Sequence, residues 1–243
     1  MWGIIPAAGK GTRIQPLAFS KELLPLAGRY EGAIHRPRAV SDFLLERMIV
    51  AGVQEVCFVI SPEKSDILQY YSESKWPASI CYTVQPRALG LCDAIFRALP
   101  FIDRNEPVLI GLPDTIWFPE SGLAQLPSDR LSFLLFPVEN PHLFDSVECD
   151  PEGRVTAIRV KEPDARSRWV WGAFKMPGST LHELFDLWQE RSCADEYIGT
   201  LVNAWLERGH TAWGLPIGES YYDVGTMDGY LAAMRSLSGA AAA

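Results

Sequence analysis

The chain has 243 residues, 48% of them hydrophobic and 21% charged, with a formal net charge of −8. That length and balance describe a globular chain able to bury a substantial core, and exclude disordered and collagen-like classes. The acidic surplus argues against a nucleic-acid or anionic-membrane partner, although local cations can still bind phosphate.

In chain order, the apolar run at 4–8 predicts a buried strand. It leads into a loop of small residues, Ala7-Ala8-Gly9-Lys10-Gly11-Thr12-Arg13, with Lys21 a short distance on. Glycine and alanine let a backbone approach a ligand closely, and successive amide N–H groups in such a turn form an anion-binding concavity. Arg13 and Lys21 add the fixed positive charge that a polyphosphate requires. Two familiar phosphate motifs are excluded. A Walker A loop fails because Gly9-Lys10 is followed by Gly11 and position 4 is Ile, and the dinucleotide fingerprint fails at Ile14.

Short apolar runs at 56–60, 80–84 and 108–112 predict further buried strands, with helical patterns at 40–51, 63–72 and 89–99 between them. The third run ends in Leu112-Pro113-Asp114, a carboxylate at a strand's carboxyl end. Gln85 ends the second run, where its amide can both donate and accept hydrogen bonds. After the turn at 150–153, strands are predicted at 154–160 and 169–175 and amphipathic helices at 180–191 and 195–208, the second stopped by Gly209. Asp223 stands at another strand-to-turn junction, before a final helix at 227–237 and an alanine tail at 240–243 that reads as frayed. The alternation predicts a three-layer α/β/α sandwich around a mixed, mainly parallel sheet.

No run reaches membrane-spanning length and no basic-then-apolar leader opens the chain. Five cysteines form no C-x-x-C pair and four histidines are scattered, so the expectation is a reduced, cytoplasmic protein without structural zinc.

The string Gly9-x-Gly11-Thr12-Arg13-x-x-Pro16, a spacer, then Lys21-x-Leu23-Leu24-Pro25 resembles the signature of the sugar-1-phosphate nucleotidylyltransferases. The resemblance continues in order through Arg36-Pro37, Val84-Gln85-Pro86, Gly90-Leu91, Leu112-Pro113-Asp114, Glu162-Pro163, Gly172 and Asp223-Val224-Gly225-Thr226. It implies a single nucleotide-diphospho-sugar transferase-like domain over 1–239, with a nucleotide half at about 1–120 and an acceptor half at about 121–239. It also implies the reaction: a hexose-1-phosphate attacks a pyrimidine nucleoside triphosphate, dTTP or UTP, and pyrophosphate leaves. Thymidylyl and uridylyl transferases share the pattern.

The resemblance implies roles for individual residues. Ala7, Ala8, Gly9, Gly11, Thr12 and Arg13 would hold the nucleotide, with Gln85 and the Gly90 backbone reading the base. Arg13, Lys21 and Asp114 would be catalytic, and Asp114 and Asp223 would hold Mg²⁺. Lys161, Glu162, Gly172 and Glu196 would face the sugar phosphate. Departures are visible too. The spacer before Lys21 is shorter than in common members, and Leu201 stands where relatives place an acid. The family's Glu-Lys-Pro reads Lys161-Glu162-Pro163 here. Along a strand, that exchange would send the lysine to the opposite face unless the register shifts or Lys175 substitutes. The altered motif leaves room for a cytidylyltransferase acting on another phosphorylated acceptor, or for a non-catalytic nucleotide-sugar-binding homologue. The oligomeric state stays open, a homo-oligomer included.

Overall fold

The computed structural model describes residues 1–72 and 76–240; positions 241–243 of the alanine tail lie outside them. In chain order the strands and helices are β1 (Trp2–Pro6), β2 (Pro25–Glu31), β3 (Ile34–Ala39), α1 (Val40–Val50), β4 (Glu55–Ile60), α2 (Ser65–Ser72), β5 (Ser79–Val84) and α3 (Gly90–Phe96). They continue as β6 (Pro107–Gly111), β7 (Thr115–Phe118), β8 (Ser132–Pro137), β9 (Asp145–Cys149), β10 (Val155–Val160) and β11 (Trp169–Pro177). The chain finishes with α4 (Gly178–Glu190), α5 (Ile198–Glu207), β12 (Trp213–Leu215), β13 (Ser220–Asp223) and α6 (Met227–Ala240).

The main sheet runs β10-β9-β11-β6-β1-β4-β5, with β8 paired to β11 and β12 to β8. Strands β6, β1, β4 and β5 are parallel, and β11 joins β6 antiparallel. The apolar runs of β1, β4 and β6 are continuous because both faces of these strands are covered, whereas β5, expected to be buried, is the edge strand and its residues are half-buried or exposed. Ile4, Cys57, Val59, Val108 and Ile110 point into a core shared with α3, α4 and α5. Their neighbours Ile5, Val56, Phe58 and Leu109 point the other way, into a core shared with α1 and α2. This strict alternation is the strand period of two, and it makes the three layers.

Beyond β1 the chain builds β4 and β5 on one side, then returns to the other side of β1 as β6. That reversal opens a crevice at the carboxyl ends of β1 and β6, where ligands bind in open α/β sheets. Both the small-residue loop and Asp114 lie at that edge.

Several predicted boundaries shift. The first strand stops at Pro6, so Ala7 and Ala8 belong to the loop. The helix expected from 195 starts at Ile198, after an extended Tyr197, and the Asp195 carboxylate is held by Arg191 at 2.7 and 3.1 Å. The hairpin β2–β3 and strands β7, β8, β9 and β12 lie outside the predicted set, while β13 ends at Asp223, the strand-to-turn junction expected there. A third, smaller core of Leu24, Leu26, Val40, Phe43, Ile116, Val224 and Ala233 ties the hairpin and α6 to the β7–β13 ribbon. No helix among the described residues is long and apolar enough to cross a membrane, and all five cysteines are free thiols.

Candidate active site

The loop after β1 is anchored before it opens. Ala7 donates its N–H to the Val59 carbonyl at 2.8 Å, and its own carbonyl accepts from the Lys64 ammonium at 2.7 Å. Lys64 also donates to both Glu22 carboxylate oxygens, at 2.7 and 2.8 Å. Glu22 is 1% and Lys64 8% exposed, so this is a buried ion pair clamping the loop against the segment that carries Lys21. Gly11 sits at φ +64°, and a Cβ there would lie 2.8 Å from the Lys21 side chain. Only glycine serves both the backbone angle and that approach.

Across the crevice, β7 and β13 pair antiparallel with Thr115 opposite Asp223, and the Val224 N–H donates to the Asp114 carbonyl at 2.9 Å. This ribbon brings together two carboxylates 109 positions apart in the chain. Each is met by a cation from the loop: Lys21 donates to Asp114 at 2.5 Å, and Arg13 donates to Asp223 at 2.7 Å. Between the carboxylates stands Gly225, where a Cβ would lie 2.9 Å from an oxygen of each. The missing side chain keeps the space between them open.

Burial by itself would raise the Asp114 carboxyl, but the Lys21 ammonium outweighs it and Arg13 adds to the effect, so it titrates below the usual carboxylate range. Burial by itself would lower Lys21, but the charges of Asp114 and Glu22 raise it above its ordinary value. The pair is therefore ionised at neutral pH.

A cavity of about 390 Å³ fills the crevice. It is lined by Gly9, Arg13, Lys21, Asp114 and Asp223, and by Gln85 and Gly90. Lys161, Trp171, Asp145 and Tyr197 form the opposite wall. Ala7 and Ala8 are buried behind the loop, and Thr12 is exposed on the turn closed by the Ile14 N–H to the Gly11 carbonyl at 3.1 Å. Gly172 sits in the β11 bulge, where a Cβ would strike the Phe136 and Tyr221 rings at 2.8 and 2.9 Å.

Of the charged residues expected on the acceptor side, Lys161 lines the cavity, while Glu162 and Glu196 do not. Lys161 reaches the cavity despite its exchange with Glu162. The strand ends at Val160 and Lys161 takes φ +51°, so strand alternation no longer sets its direction. Its ammonium lies 4.5 Å from the Tyr197 ring centroid and 3.5 Å from the Tyr197 hydroxyl. Glu162 does not line this cavity; it turns toward Arg159 at 3.9 Å and borders a separate surface cavity of about 700 Å³. Glu196 contributes backbone instead of carboxylate, its carbonyl accepting from the Leu91 and Cys92 N–H groups at 2.7 and 3.2 Å. Gly90 approaches that backbone so closely, at φ +92°, that a Cβ would lie 2.6 Å from the Glu196 Cα. Lys175 is no substitute for Lys161: it is buried and donates to the Leu126 carbonyl at 3.1 Å.

Three residues of the site carried no sequence signal: Lys64, Asp145 and Asp93. Burial pushes the Asp145 carboxyl up to about 6 from an ordinary 3.8, against the opposing pull of Lys161. The folded state thus holds this proton to higher pH than the unfolded chain does, and stability falls as pH rises from about 4 to about 6. Asp145→Asn is expected to flatten that slope and to stabilise the protein at pH 7 by at most roughly 3 kcal/mol. Urea denaturation from pH 4 to 8 measures both effects. An unchanged slope would place the titration elsewhere.

A family model described as nucleotidyl transferase matches residues 2–239. A glucose-1-phosphate thymidylyltransferase of Mycolicibacterium smegmatis is 27% identical over 245 residues, covering 95% of this chain and 80% of the relative. Another, of Neisseria meningitidis, is 29% identical over 179 residues, covering 70% of this chain and 59% of that protein. Among solved structures, a UDP-glucose pyrophosphorylase complexed with UDP-glucose has a TM-score of 0.77 at 20% identity, covering 98% of each chain. UTP-bound UGPase from Acinetobacter baumannii has a TM-score of 0.74 at 18% identity, covering 97% of this chain and 92% of that one. At such identities the structural likeness speaks for the three-layer fold.

Proposed function

The chain belongs to the nucleotidyl transferase family, and from that premise we propose that it joins the nucleotide of UTP or dTTP to a hexose-1-phosphate with Mg²⁺, releasing pyrophosphate. The observation that carries this reading is the meeting of two cation–carboxylate pairs, Lys21–Asp114 and Arg13–Asp223, beneath a glycine loop at the crevice. Residues up to about 120 contribute the loop, Asp114 and the base edge; the later half contributes Lys161 and Asp223.

The reaction brings two anions together, so its barrier is electrostatic and positional. The amides of Gly9 and Gly11 are suited to hold the triphosphate, and Arg13 and Lys21 to oppose the charge that grows on the departing pyrophosphate. Because that charge is larger in the transition state than in the substrate, cations there raise the rate and not merely the affinity. Lys161, free of any carboxylate at ion-pair distance among the described residues, suits the phosphate of the acceptor. Asp145 beside it is a cost of the same site, since its negative form repels that phosphate.

The residues fit a magnesium ion. Mg²⁺ takes one or two carboxylates plus substrate oxygens and water, and Asp114 and Asp223 converge on the gap that Gly225 leaves open. When bound there, the ion would neutralise phosphate oxygens and draw the two reactants into line.

At the base edge, Gln85 is 3% exposed, and its Nε2 donates to the Gly90 carbonyl at 3.0 Å and to Asp93 at 2.8 Å. Both amide hydrogens are used, and Gln85 lines the cavity, which leaves its carbonyl oxygen as the group available to a base. An acceptor complements the N3–H of uracil or thymine and opposes the N3 lone pair of cytosine. Uracil and thymine differ by one methyl, worth only ~1–3 kcal/mol to a pocket, so use of both is expected.

The testing experiment is pyrophosphate release with Mg²⁺, crossing dTTP, UTP, CTP, ATP and GTP against glucose-1-phosphate and other phosphorylated acceptors. Release with UTP or dTTP and a hexose-1-phosphate is the expected result. Release with CTP alone would move the assignment to a cytidylyltransferase. Silence across the panel with nucleotide binding intact would make this a binding protein.

A further inference from the structure

Gln85 can read a base only if its amide is prevented from turning over, since a free amide offers either its oxygen or its nitrogen. The helix after it supplies the restraint. Asp93, in the first turn of α3 and 5% exposed, takes the Gln85 amide on one oxygen. Arg97, one helical turn further, grips both oxygens of the same carboxylate through Nε at 3.3 Å and a terminal nitrogen at 2.9 Å. Asp93 thus has two donors converging on it, its orientation set by a fork that reaches in from a partly exposed position.

We propose that Asp93 is the positioning residue that sets base choice, locking Gln85 so that only an oxygen faces the bound pyrimidine. Turning the amide over would press its oxygen against the Asp93 carboxylate and the Gly90 carbonyl, two acceptor–acceptor contacts near 3 Å. Cytosine requires that turn, because its ring N3 accepts where uracil and thymine donate. The cost of the turn therefore falls on cytosine alone, and discrimination is built by penalising the wrong base as much as by favouring the right one. Asp93 touches no base. Its effect passes entirely through the Gln85 amide, and Arg97 acts one step further out.

This inference rests on the reading of Gln85 as the pyrimidine contact, and the experiment separates the two. Equilibrium binding of UTP, dTTP and CTP to the full chain is measured without Mg²⁺, so that no turnover enters. The wild type and the near-isosteric Asp93→Asn are compared, with thermal melting to verify folding. The substituted amide can offer Gln85 an acceptor or a donor, so the stronger of the two contacts that oppose the turn, the one with a full negative charge, is removed and only the Gly90 carbonyl still resists it. The expected result is a fall of about tenfold in the UTP-to-CTP affinity ratio, with most of the change in CTP. Arg97→Gln, on the helix surface, should loosen Asp93 and lower the ratio by roughly threefold; it carries the test if Asp93→Asn does not fold. Should the wild type prefer UTP while both variants keep that preference, or weaken all three nucleotides equally, the proposed role of Asp93 is wrong and the Gln85 reading stands. Should the wild type bind CTP as well as UTP, the Gln85 reading itself fails and this inference falls with it.

Discussion

Asp114→Asn should reduce turnover by about 10³-fold or more while the protein stays folded. The substitution preserves shape and removes one negative charge from a carboxyl held ionised by Lys21 at 2.5 Å. It strips away half of the carboxylate pair that frames the gap beside Gly225, and leaves Lys21 without its counter-charge. The loss should fall on kcat more than on the KM for nucleotide, because the glycine loop, Gln85 and Gly90, the proposed contacts to triphosphate and base, are untouched. Pyrophosphate release and a nucleotide titration on the same preparation separate the two effects. Turnover within tenfold of wild type would remove Asp114 from the catalytic machinery.

The largest expected effect on stability belongs to Lys64, a residue that does not line the cavity. Lys64→Met leaves Glu22, 1% exposed, without the cation that meets both of its oxygens. Breaking one side of a buried ion pair costs about 3–5 kcal/mol, whereas replacing both partners with apolar groups of similar volume is often nearly neutral. Lys64→Met should therefore lower the melting temperature by roughly 10 °C, and the double substitution Glu22→Leu with Lys64→Met should recover most of that loss. The double variant should still bind nucleotide more weakly, because the Ala7 carbonyl has lost its anchor at 2.7 Å. Thermal melting paired with nucleotide binding reads both. If the double variant is no more stable than the single one, the pair is not the source of the cost.

Much of this protein was legible in its sequence because the determining interactions are local. The apolar runs that became β4 and β6 show their burial in their composition, since both sheet faces are covered; the run that became β5 has a similar composition but lies at the sheet edge, where none of its residues is fully buried. Gly9, Gly11, Arg13 and Lys21 lie within one short segment, where the demands of the proposed phosphate-holding turn act on neighbours. Asp114 is recognisable because an apolar strand ends in an acid at the edge where such sheets bind ligands. The polar hairpin β2–β3 and the short strand β12 had no such pattern: their pairing is set by what lies beside them, not by their own periodicity.

What only the tertiary structure decided is the set of contacts between residues far apart in the chain. Glu22 and Lys64 meet across 42 positions, and Asp114 and Asp223 across 109, because of how β4 and the β7–β13 ribbon are placed. Lys161 enters the cavity through a single left-handed residue after a strand, overriding the face that alternation alone would assign. The Gln85 amide has both hydrogens occupied because the Gly90 carbonyl takes one and α3 carries Asp93 back against the other. A sequence determines which chemistry is available and, through local pattern, which elements form. Which charges neutralise one another, and which polar atoms remain free to meet a ligand, depends on long-range packing, because hydrogen bonds and ion pairs act over a few ångströms of space whatever the distance along the chain.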